Sequence, residues 1–194
     1  MNTKTILAIS FAAAFAISMM MLPAYAGNHL AIADVDVETK SNSNGNANDR
    51  IKVHIQVGTD IPLDGTSGAF GYGIFTGGGT DNVLVLVTHL PIDDSDHEVL
   101  PSGFHTHVLD VIDPTDDCTN GFTHEVDLEG SGMNKGFDLD ADWEIDGDTA
   151  WIGFTPTKRL NDTTTVDFVA AFTITPMFEE DTLTNLCLTV TSAV

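Results

Sequence analysis

The chain has 194 residues, 42% of them hydrophobic, with a mean hydropathy slightly above zero. That excludes a disordered protein and fits one folded domain. With 29 acidic residues against 7 basic ones the formal charge is −22, which argues against nucleic acid and anionic membranes as partners and favours cations.

The first stretch, "MNTKTILAISFAAAFAISMMMLPAYAG", has Lys4 in a short basic region, an apolar run from Ile6 to Leu22, helix-breaking Pro23 and an Ala-Tyr-Ala site before Gly27. This pattern predicts a secretory signal peptide over residues 1–26. No other stretch is long and apolar enough to span a bilayer. The expectation is therefore a secreted or cell-surface protein with no membrane association after cleavage. Loss of Lys4 leaves 6 basic against 29 acidic residues, a formal −23. The new terminus would read Gly27-Asn28-His29. A free amine, two deprotonated amides and the His29 imidazole make a square-planar nitrogen set that suits Cu(II) or Ni(II).

Residues 27–50 are expected as a flexible N-terminal segment and linker, because residues 39–49, "TKSNSNGNAND", are polar, Asn-rich and without periodicity. From residue 51 to 194 the pattern is all-β. "IKVHIQV" (51–57) alternates apolar and polar residues. "GAFGYGIF" (68–75) is a glycine-interrupted strand, and "VLVLVTHL" (83–90) is a nearly continuous β-branched run, as expected of a buried central strand. "GFHTHVLDV" (103–111) and "FTHEVDLEG" (122–130) follow, then "WEIDGDTAWIGF" (143–154), in which Asp146-Gly147 separates two apolar runs as a hairpin signal. "TTTVDFVAAFTIT" (163–175) and "NLCLTVTSAV" (185–194) complete the chain. About eight strands at short spacing predict a Greek-key β-sandwich or barrel.

The stretch with most chemical content is Gly103-Phe104-His105-Thr106-His107. Residues i and i+2 of a strand share a face, so His105 and His107 would present two imidazoles side by side, a natural pair of ligands for copper or zinc. An exposed strand face also tolerates such a pair without any ligand. A metal needs at least a third ligand, and His124, 17 residues on, becomes one if the intervening loop folds back over the strand. His89 and His97 flank the turn into 103–111 and are substitute ligands, whereas His54 lies on the polar side of its strand. The two cysteines, Cys118 and Cys187, are most simply a disulfide in an exported protein, closing a loop worth roughly 4 kcal/mol of chain entropy. The alternative is a thiolate acting as copper ligand or nucleophile. Residues 91–98 and 138–148 are acidic, but the latter lacks the glycine and terminal glutamate of an EF-hand loop and reads as solvated. Asn161-Asp162-Thr163 is a glycosylation sequon.

The order of these landmarks resembles the Cu/Zn superoxide dismutases. That family has a G-F-H-x-H strand, then a loop with the first cysteine of a disulfide, then a bridging histidine, and the second cysteine on the last strand near the C-terminus. Here the order is His105 and His107, Cys118, His124 in "GFTHEV", and Cys187 in "LCLTV". The resemblance covers residues 51–194. It implies a dismutase-like Greek-key sandwich, His105 and His107 as copper ligands, His124 as the bridging histidine and a Cys118–Cys187 disulfide. The chain departs from the family on its penultimate strand, where "VDFVAAFTITPM" has no histidine, in the zinc ligands, which have no counterpart in "EVDLEGSGMNKGFDLDAD", and before Cys187, where an arginine is replaced by Thr184-Asn185-Leu186. A charge of this sign with no local arginine opposes an anionic substrate. The expectation is a secreted protein that binds copper, or less readily zinc, without efficient dismutase activity. The alternatives are an active dismutase with a rearranged ligand set and a non-catalytic cell-surface β-sandwich with incidental histidines.

Overall fold

The computed structural model describes residues 28–40, 50–65, 67–77, 81–88, 103–115, 118–119, 121–131, 138–139, 141–156, 166–180 and 182–194. The signal peptide, His89, His97 and the Asn161 sequon lie outside these residues. The described structure is all-β, in two antiparallel sheets. The strands are β1 (Ile32–Lys40), β2 (Arg50–Val57), β3 (Phe70–Thr76), β4 (Val83–Thr88), β5 (Phe104–Leu109), β6 (Val111–Ile112), β7 (His124–Val126), β8 (Asp138–Leu139), β9 (Trp143–Asp146), β10 (Thr149–Pro156), β11 (Val166–Glu179) and β12 (Thr182–Ala193).

The smaller sheet runs β1-β2-β10-β9 and the larger β6-β7-β12-β11-β3-β4-β5-β8. β11 returns beside β3 after the β3-β4-β5 meander, so a long connection brings a late strand back to an early one. One corner makes the larger sheet curl. β5 and β6 are consecutive along the chain and separated only by Asp110, yet β5 pairs with β4 and β6 with β7. The two parts of the sheet that carry β5 and β6 therefore meet at Asp110.

Side-chain alternation divides the apolar residues of this sheet between two cores. Phe70, Tyr72 and Ile74 of β3, Leu84 and Leu86 of β4, and Phe104 and Val108 of β5 pack against Ile51, Val53, Ile55 and Ile152 of the smaller sheet. Val83, Val85 and Val87 of β4, Leu109, Phe172 of β11 and Leu188 of β12 form the second core, inside the curl. β4 is buried along its whole length, as its unbroken β-branched run predicts. Gly71 is needed where β3 faces β4: a Cβ there would lie 2.5 Å from Val87 Cγ1 and 2.7 Å from the Leu86 carbonyl oxygen.

Two expectations change. Residues 27–50 are not flexible throughout, because β1 pairs with β2 from Ile32↔Val57 to Lys40↔Arg50. The signal was present in "IADVDVETK", where Val35 and Val37 turn inward and Asp34, Asp36 and Glu38 outward. The Asn-rich run after it obscured this strand. The hairpin near Asp146-Gly147 forms one residue later than expected: Asp146 pairs with Thr149, and only Gly147 takes positive φ (58°) in the two-residue turn. Glycine at the first turn position is the II′ pattern rather than the I′ pattern of Asp-Gly.

Candidate functional site

His105 and His107 lie on the inner face of β5, in register with Val87 and Val85 of β4. That places them at the rim of the second core, since Val85 and Val87 belong to it. The rings meet edge to face, with centroids 4.4 Å apart and an interplanar angle of 88°. His107 is only 6% exposed, whereas His105 is half-buried. His105 Nδ1 lies 2.9 Å from the Gly103 carbonyl oxygen. A carbonyl only accepts, so Nδ1 is the donor in this contact. Gly103 takes φ of 67°, a left-handed conformation natural to glycine, in the residue that supplies this carbonyl. On the opposite face Thr106 points into the inter-sheet layer, where its hydroxyl accepts a hydrogen bond from the Ala141 backbone N–H at 3.4 Å.

His124 does not join the pair. β7 runs antiparallel to β6 with Val111↔Val126 and Ile112↔Glu125. Continued by one step, that register puts His124 opposite Asp113, six residues beyond His107 and past the corner at Asp110. Its ring packs against Phe75 at 5.7 Å between centroids. The disulfide and β7 pairing fold the loop onto β6, not onto the part of β5 that holds the histidine pair. His29 is also engaged elsewhere: its ring packs edge-on against Phe70 at 4.6 Å, and its carbonyl accepts from Tyr72 Oη at 2.7 Å. His54 stacks on Trp151 on the outer face of the smaller sheet. Among the described residues, no group of three or more His, Cys, Asp or Glu side chains converges on a point able to hold a metal ion.

Cys118 and Cys187 form a disulfide across a sequence separation of 69, with both side chains fully buried. This removes the thiolate alternatives. Beside it, Glu125 is 4% exposed and its Oε2 accepts from Thr115 N and Thr115 Oγ1, both at 2.7 Å. Neither this buried glutamate nor Asp110, 5% exposed between β5 and β6, stands out from the sequence pattern as a functional residue. Their signal was an acid interrupting an apolar strand pattern, "HVLDVI" in the case of Asp110. Among the described residues, no helix is long and apolar enough to cross a membrane.

Compared with protein-family models, curated proteins and solved structures, the chain matches none.

Burial lowers the pKa of His29 and of His124 below the usual 6.5, with Asp113 partly offsetting the effect at His124. A histidine that resists protonation in the folded state binds fewer protons there than in the unfolded chain. It therefore stabilises fully above the unfolded value and loses that contribution as pH falls through it. The urea midpoint is expected to fall between about pH 7.5 and 5.5. In His124→Gln the fall should be shallower, and a gap between variant and wild type that stays constant with pH would count against the buried neutral imidazole.

Proposed function

We propose that this chain is an exported β-sandwich, similar in outline to the Cu/Zn superoxide dismutases, that binds copper, or less readily zinc, through His105 and His107, and that it holds or passes on the ion without efficient dismutase activity. The observation that carries this reading is the histidine pair itself. Metal–nitrogen bonds of about 2 Å give two imidazoles sharing one ion a separation of this order, and the rings stand 4.4 Å apart. The hydrogen bond from His105 Nδ1 to the Gly103 carbonyl is the kind of outer contact that orients a ligating histidine. The half-buried His105 gives the pair access to solvent, so water or an exchanging ligand completes the coordination. An incomplete protein ligand set suits transfer of an ion. Tight redox cycling would need a fuller one. The departures from the dismutase pattern and the charge of −22 favour the same side, because superoxide is itself an anion.

The test is titration with Cu(II), Cu(I) and Zn(II) at fixed ionic strength, with metal analysis of protein recovered without added metal and a superoxide assay beside it. One ion per chain is expected, with affinity reduced at least tenfold by His105→Ala and by His107→Ala and unaltered by His124→Ala. Negligible superoxide turnover is expected in the loaded protein. Equal binding by the wild type and both variants would leave a non-catalytic sandwich with incidental histidines. Rapid turnover would point to a dismutase with a rearranged ligand set.

A further inference from the structure

β1 stands at the outer edge of the smaller sheet, and among the described residues it pairs with a strand on one side only. Sheets usually keep such edges short, or guard them with lysine, proline or a bulge, because the unpaired N–H and C=O groups accept a further strand. The other edges follow that rule: β9 has four residues, and β6 and β8 have two each. β1 has nine. At its start it is fastened to β12, where Ile32 N donates to Ser192 Oγ at 3.2 Å, and its one register irregularity lies between Ile32 and Asp34. From Asp34 to Thr39 the strand is regular and carries neither lysine nor proline.

The two faces of this edge differ. Inward, the half-buried Val35 and Val37 line a cleft of about 390 Å³ together with Val166, Phe168 and Val169 of β11 and Val194. No residue of β2 lines it, so the cleft opens on the side of β1 away from its paired strand. Outward, Asp34, Asp36 and Glu38 are exposed in a row. Glu38 meets Lys52 at 3.6 Å. Asp34 and Asp36 stand opposite Gln56 and His54 and, among the described residues, meet no lysine or arginine.

We infer that the free edge of β1 receives an extended segment of a partner protein as an added antiparallel strand, in which apolar and basic residues alternate. A strand laid about 4.8 Å from β1 continues both of its faces. Every second side chain falls over the cleft beside Val35 and Val37, and those between fall beside Asp34 and Asp36. Main-chain hydrogen bonds supply the attraction, and the two faces supply the selection. Opposite charges directly across two strands attract and like charges repel, which sets the charge of the partner. The same rule opposes a second copy of this chain. Antiparallel pairing of β1 with itself, valines inward, sets Asp36 against Asp36 and Asp34 against Glu38, or Asp34 against Asp36. A slip of one residue would instead turn the partner's acids into the apolar cleft.

Fluorescence anisotropy of a labelled short peptide alternating lysine and valine, titrated with the full chain at physiological ionic strength, tests this. Saturable binding is expected. Two further peptides carry N-methyl groups on the lysine amides or on the valine amides, so that each has one blocked edge at unchanged charge. An added strand uses one peptide edge, so one isomer should bind about tenfold more weakly or worse while the other keeps its affinity. In the doubly substituted Asp34→Lys, Asp36→Lys chain the preference should pass to a peptide alternating glutamate and valine. Equal binding by all three lysine peptides would mean that net charge alone attracts them, and would overturn the proposal. So would loss of binding by both methylated isomers, an unchanged preference in the substituted chain, or no binding at all. A wild-type dimer that the peptide dissociates, seen by sedimentation, would make a second copy the occupant instead.

Discussion

Replacing Cys118 and Cys187 together by serine should destabilise the protein by roughly 4 kcal/mol, the chain-entropy value for a loop of this length. The bond closes a sequence separation of 69. Such a cost is a large part of the 5–15 kcal/mol that holds a typical domain, and for a domain of this size it lowers the Tm by roughly 10 °C. The local surroundings point the same way. Cys187 stands opposite Glu125 in the β12–β7 register, and the residues after β6 are drawn onto Glu125 by the two bonds from Thr115. Without the covalent tie, that loop loses its anchor to β12 and the buried glutamate loses the partners that justify its burial. Calorimetry of the double variant, and of the wild type with a reductant, is the measurement. A fall of less than about 1 kcal/mol would show that the loop is held chiefly by β6–β7 pairing. Both sulfurs are fully buried, so reduction of the native protein should be slow until denaturant is added.

Phe172→Ala should cost about 3–5 kcal/mol, the usual range for removing a large buried aromatic ring. Phe172 is fully buried on β11, paired in register with Gly71 of β3 and Val190 of β12, inside the curl of the larger sheet. Its fit depends on glycine. A Cβ at Gly73 would lie 3.0 Å from Phe75 Cε2, 3.1 Å from Phe172 Cε1 and 3.2 Å from Val83 Cγ1. Gly73→Ala is therefore expected to destabilise alone, and less so in a Phe172→Leu background, where the ring edge has gone. Chemical denaturation of the two single variants and the double variant gives the coupling directly. Strict additivity would show that the ring and the glycine do not share the space. The same residues bear on the histidine pair, because Gly71 and Gly73 stand across Val87 and Val85 from His105 and His107.

Much of this was legible in the chain as written. The alternation of "IKVHIQV", the unbroken "VLVLV" and the two cysteines led to β2, β4 and the Cys118–Cys187 bond, because strand periodicity and disulfide chemistry are local or compositional properties. His105 and His107 came out as neighbours for the same reason: two residues apart on a strand share a face whatever the rest of the fold does. β1 was hidden by the Asn-rich run beside it, although its own alternation was intact.

What the sequence could not contain was register. His124 is close to His107 in number, yet the pairing of β7 with β6 carries it down the strand to Phe75. His29, the most remote of the candidates, ends against Phe70. Asp110 looks unremarkable in "VLDVID", and only the corner between β5 and β6 buries it. Local pattern determined which residues form strands and which share a face. Non-local hydrogen bonding between strands decided which of those faces meet, because a pairing shift of a few residues moves a side chain by many ångströms without altering any local preference.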